Sequence, residues 1–137
     1  MEYSKKVISL ALIMNLAHEG KNALEKFLVQ QNLIQYNLML LIKARTVIPD
    51  KDFIGRLESQ TLGNLIDFYK ICVNRNDEET LLIVLLKDYN KKRRYLVHNI
   101  IKDADYKRIQ IEAKVANENG SKILKCLTSV LLKEVRK

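Results

Sequence analysis

Tryptophan is absent, proline occurs once, at Pro49, and only four glycines are spread over 137 residues. Threonine is scarce too, with four copies against 21 leucines. A β-sandwich or barrel needs a turn about every 8–12 residues, built from residue types this chain barely contains. The composition predicts an all-α protein. Two cysteines, Cys72 and Cys126, stand far apart and outside any C-x-x-C pair. Each falls on an apolar stripe of its predicted helix, so both are expected as buried free thiols. With only His18 and His98 to join them, no zinc-ligand spacing exists. A Walker loop, a G-x-S-x-G elbow and a G-x-G-x-x-G turn are all missing. These absences count against metal-dependent and nucleotide-hydrolysing enzymes, and neither a cofactor nor a metal is expected.

What is present is apolar and basic. Hydrophobic residues make up 47% of the chain, which excludes a disordered tail. A chain of this length buries roughly two-thirds of its unfolded surface, enough for one self-sufficient domain over residues 1–137. The net charge of +8 is unevenly placed. Residues 1–90 carry 11 Lys and Arg against 11 Asp and Glu, whereas residues 91–137 carry 13 against 5. A basic segment on a neutral body points to a polyanionic partner, with nucleic acid the first candidate. A solvated lysine-rich helix face is the competing reading.

Helical periodicity runs through most of the sequence. Lys5-Lys6 followed by Val7–Ala17 imitates a secretory leader. However, Ser9 and Asn15 interrupt the run, and Val7, Leu10, Ala11, Met14 and Ala17 recur at helical spacing. The run is also about half the length of a membrane span. The expectation is a cytoplasmic protein that does not enter the membrane. Leu24, Phe27, Leu28, Ile34, Leu38 and Leu41 predict a helix over 21–44, with Gly20 as a bend or a division. Residues 46–60, with Pro49, Asp50, Asp52 and Gly55, form the clearest break. Helices are then predicted over 61–74, from Asn76 towards Asn90, and over 104–136. Asn76 and Glu79 supply a capping box for the second of these, and Gly120 is a potential interruption of the third. The result is an up-and-down bundle of four to five helices.

The densest polar cluster is Lys91-Lys92-Arg93-Arg94-Tyr95-Leu96-Val97-His98-Asn99. Histidine passes protons near neutral pH, and arginine grips phosphate with two parallel hydrogen bonds. RNA brings its own nucleophile, the 2′-hydroxyl, so this set would cleave it without a metal. Arg93 and His98 also match the Arg-x4-His signature of HEPN domains, which the segment resembles. Arg94 stands where that family commonly has Asn or another polar residue, and Leu96 takes the apolar position. A second likeness is Thr61-Leu62-Gly63-Asn64-Leu65-Ile66, similar to a T-L-G-x-L-I element of some relatives.

The resemblance implies a helical bundle that forms a homodimer with the two motifs face to face. It also implies a metal-independent endoribonuclease of toxin–antitoxin or phage-defence type. RNA would be the substrate and a cognate antitoxin a further partner. His98 would be the acid and base and Arg93 the phosphate-binding group, both catalytic. Lys91, Lys92 and Arg94 would bind RNA, and Tyr95, Leu96, Val97, Ile100 and Ile101 would form the dimer interface. The alternative is a non-catalytic helical dimer that binds nucleic acid or a partner protein. Helical geometry adds a constraint. At about 100° per residue, Arg94 and His98 share a face while Arg93 and His98 diverge by about 140°. Either a helix begins near Arg94, or Arg93 serves a site completed by another subunit.

Overall fold

The computed structural model describes residues 22–46, 57, 60–102 and 106–136, and these form an all-α bundle. Its helices are α1 (Ala23–Arg45), α2 (Leu62–Cys72), α3 (Asp77–Lys102) and α4 (Tyr106–Val135). The predicted helix over 7–17, Gly20, His18 and most of the break at 46–60 lie outside the described residues. No helix among the described residues is long and apolar enough to cross a membrane.

Local chemistry sets the helix starts. The Asn22 side chain caps α1 by accepting from the backbone N–H groups of Leu24 and Glu25 at 2.9 and 3.3 Å. Thr61 caps α2 through Asn64 N–H at 3.3 Å. Half of the Asn76–Glu79 capping box forms: Glu79 N–H donates to Asn76 Oδ1 at 2.8 Å, while the Asn76 backbone N–H donates to the Asn74 carbonyl and not to Glu79. Two differences from the sequence expectation follow. α3 does not stop near Asn90 but continues through the basic run to Lys102, because Leu96 keeps its apolar stripe in the core. Gly120 sits inside an unbroken α4.

Round the bundle the packing order is α1, α2, α3, α4, with α4 closing against α1. Contacts between helices fix their directions. Tyr95 meets Arg108, Asp88 meets Asn119 and Glu78 meets Lys133, so α3 and α4 are antiparallel. Asn22 meets Gln110, Gln30 meets Ser121 and Arg45 meets Glu134, so α1 and α4 are parallel. Direction alternates through α2, α3 and α4, whereas α1 and α2 run the same way with the long break between them.

The core is built from Phe27, Ile34, Leu38 and Leu41 of α1, Leu62 and Tyr69 of α2, Leu82, Leu86 and Tyr89 of α3, and Ile123, Leu127 and Leu131 of α4. Leu28, expected in the α1 stripe, is 49% exposed, and Leu81 of α3 is 54% exposed. Each is one position off the buried row, and one position turns a side chain by about 100°. Cys72 and Cys126 are free and only half-buried.

One end of the bundle is tied by charge. Arg45, at the end of α1, pairs with Glu79 of α3 and with Glu134 of α4. It also donates to the Cys72 carbonyl of α2 at 3.3 Å. The Tyr69 hydroxyl donates to Glu79 at 2.7 Å, and the Asn76 amide at 3.0 Å. Burial alone would raise the Glu79 carboxyl. The donors Arg45, Tyr69 and Asn76 outweigh it and bring the carboxyl down to about 2.

A depressed carboxylate stabilises the fold above its unfolded value of about 4.5 and loses that contribution as the pH falls towards 2. Glu79→Gln should therefore lower the unfolding free energy at pH 7 by about 3 kcal/mol, because Arg45 loses its most buried counter-charge. The same variant should show a flatter stability loss between pH 4.5 and 2 in urea titrations. An acid limb as steep as that of the wild type would place the pH dependence elsewhere.

Gly120 has a different role, close approach. A Cβ built there would lie 1.9 Å from Gln30 Oε1 of α1. Gln30 is 3% exposed and donates to the Asn117 carbonyl at 3.0 Å. Gly120→Ala should cost about 1–3 kcal/mol by displacing that amide. In a Gln30→Ala background the same change should gain about 1 kcal/mol of helix propensity. Thermal unfolding of the four-member cycle tests this reversal of sign.

Candidate nucleic-acid interface

The site follows from the buried row of α3. Glu79, Leu82, Leu86, Tyr89, Arg93 and Leu96 recur at spacings of three and four, which is one stripe of a helix. Four of the six are apolar or aromatic core residues at 0–1% exposure. The other two are ionic, and they differ in kind. Glu79 is saturated by Arg45, Tyr69 and Asn76. Arg93 is half-buried and donates its Nε to Asn90 Oδ1 at 3.1 Å, a neutral acceptor. No carboxylate pairs with it among the described residues. Burial lowers the Arg93 guanidinium from its ordinary value, and the neighbouring charge of Arg94 lowers it further.

Arg93 faces a cleft of about 500 Å³ between α2 and α3. Across it stand Thr61, Gly63 and Asn64, the start of the T-L-G element. Gly63 makes this approach close: a Cβ there would lie 3.3 Å from Asn90 Nδ2. Lys70, Lys87 and Arg94 also line the cleft, with Asp67 the one carboxylate among the described lining residues. Asp67 pairs with Lys70 at 3.5 Å. Lys87, Arg93 and Arg94 have no carboxylate partner among the described residues.

His98 faces elsewhere. It lies exposed on a second groove of about 870 Å³ between α3 and α4, with Lys91, Lys92, Arg94 and Tyr95 from its own helix. Ile111 and Val115 form the apolar floor, 67% and 48% exposed, and Asp88 and Glu112 stand at the rim. Lys92 pairs with Asp88 at 3.0 Å. The Tyr95 hydroxyl accepts from Arg108 at 3.3 Å, and its ring is 56% exposed.

Because α3 is continuous, a helix start at Arg94 is ruled out and the divergence of about 140° between Arg93 and His98 stands. Within one chain they line different clefts, and Arg94 is the residue common to both. Of the residues assigned to an interface, Tyr95 and Val97 are open to a partner, with Val97 38% exposed. Leu96 is 1% exposed and packs in its own core, so it offers a partner no surface. The side chains of Ile100 and Ile101 lie outside the described residues.

Sequence reasoning missed Asn90, Lys87 and Lys70. The signal available was the cation at position 93 in a mostly apolar four-and-three spacing: Asn90 and Lys87 lie three and six residues before it on α3, whereas Lys70 comes from α2 and no local pattern names it. No family model, no curated protein and no solved structure matches this chain.

Proposed function

We propose that this protein is an RNA-binding, metal-independent endoribonuclease of HEPN type that works as a homodimer. The observation that supports it is the meeting of two motifs. The T-L-G element and Arg93 are thirty residues apart in sequence, yet Gly63, Asn90 and Arg93 share one cleft. The antiparallel course of α2 and α3 sets the two strings level, and the close approach at Gly63 puts the T-L-G element against Asn90, one turn before Arg93.

Cleavage would proceed by attack of the 2′-oxygen on the adjacent phosphorus as the bond to the 5′-oxygen breaks. The products are a 2′,3′-cyclic phosphate and a 5′-hydroxyl. One group must take the 2′-hydroxyl proton and another must protonate the departing 5′-oxygen. A single His98 per chain supplies one of these roles, and a two-fold axis near it supplies both. The exposed apolar residues Tyr95 and Val97 flank His98 and give such an axis something to bury. Arg93 would hold the phosphate and stabilise the charge that builds on it. A place in a toxin or phage-defence system with a cognate antitoxin belongs to the same proposal. The divergence of Arg93 from His98 within one chain favours a second reading, a dimer that binds RNA without cutting it.

Single-stranded RNA incubated with the protein in EDTA should be cut to cyclic-phosphate ends. His98→Ala and Arg93→Ala should each lower the rate by about 100-fold or more while keeping the helical circular dichroism. Sedimentation should show twice the 16.0 kDa chain mass at micromolar concentration. Undiminished cleavage by His98→Ala, or RNA binding without cleavage by the wild type, would favour the binding module.

A further inference from the structure

We infer that the cleft between α2 and α3 is a recognition site for linked phosphate groups, and that Lys87 is one of its anchors. The charge balance carries this. Lys87, Arg93 and Arg94 converge on one cleft with no carboxylate partner among the described residues, since Asp67 is taken by Lys70. A half-buried guanidinium beside a second one is costly without an anion. Arg45 shows what the chain does when a buried cation is structural, because it is given two carboxylates.

The opposite wall adds donors, and its one carboxylate among the described lining residues, Asp67, is paired with Lys70. α2 begins at this cleft, and its first turn has no acidic residue. Thr61 and Asn64 bring neutral hydrogen-bonding groups that face Asn90 of α3, and Gly63 keeps the walls close without filling the space.

Spacing selects the ligand. Lys87 and Arg94 are two turns apart on α3, about 10 Å along its axis. Two or three joined phosphates span that separation and meet Arg93, whereas one phosphate would have to draw both long side chains inward along the helix. A volume of about 500 Å³ is within the range of ligand clefts and admits such a chain. Linked phosphates come from an RNA backbone or from a nucleoside triphosphate. The RNA source rests on the ribonuclease reading above, and the phosphate site itself does not.

Calorimetric titration of the full chain in EDTA tests the assignment, with orthophosphate, tripolyphosphate, ATP and a 2′-O-methyl RNA that cannot be cleaved. Tripolyphosphate should bind at least about tenfold more tightly than orthophosphate, and Lys87→Glu should weaken it about tenfold or more. Lys87 is exposed, so this variant should fold, and Lys70→Glu on the opposite wall should act in the same direction. Loss of the RNA isotherm in Lys87→Glu with ATP inert assigns the cleft to a nucleic-acid backbone; loss of the ATP isotherm alone assigns it to a nucleotide. Unchanged affinity of both variants for every probe would overturn the site. It would do so even if RNA is cut in EDTA, so the two readings fail separately.

Discussion

The Glu79 carboxylate is the interaction on which the arrangement of this bundle depends. It sits near the start of α3, 2% exposed, and it is approached by Arg45 from α1 and Tyr69 from α2. Arg45 reaches on to Glu134 of α4, so one connected set of hydrogen bonds touches every described helix at the same end. Apolar packing has little sense of rotation about a helix axis, whereas a buried charge with fixed partners has a great deal. Once Glu79 is locked, the rest of the α3 stripe is locked with it. About four turns later, Arg93 must face α2, and His98 beyond it must face α4.

The two charged positions of that stripe illustrate a general contrast. A buried ion is tolerated when its partners replace the water it loses, and is otherwise a liability to the fold. Glu79 falls in the first class. Arg93 has one neutral acceptor, a cationic neighbour and the buried Tyr89 hydroxyl, which finds no hydrogen-bond partner among the described residues. Fold stability alone would favour leucine or methionine at position 93. The proposed phosphate site rests on this cation, which has no carboxylate partner among the described residues.

Much of this was legible in the sequence. Scarce turn residues gave the all-α class, and Asn76 with Glu79 gave the start of α3. Phe27, Ile34, Leu38 and Leu41 gave the buried face of α1. Local signals of this kind act over one or two turns and need no knowledge of the fold. The failures share a different cause. Glu79 read as a capping residue because its main partner, Arg45, is 34 residues away. The parallel course of α1 and α2 depends on a connection without periodicity. Gly120 reads as a helix breaker, and only the packing of Gln30 against it shows that it is a contact point. At the site itself, the motif string named Arg93 and His98 and left open whether a helix starts near Arg94 or runs straight with the two about 140° apart. The continuity of α3 decides between them.

The most direct test of the account is the unfolding free energy of Arg93→Met, measured in urea without any ligand. If Arg93 is held for a bound anion, removing a half-buried cation that lacks a carboxylate partner should leave stability unchanged or raise it by about 1 kcal/mol. A loss of more than about 1 kcal/mol would make Arg93 a structural residue like Arg45 and contradict the central claim.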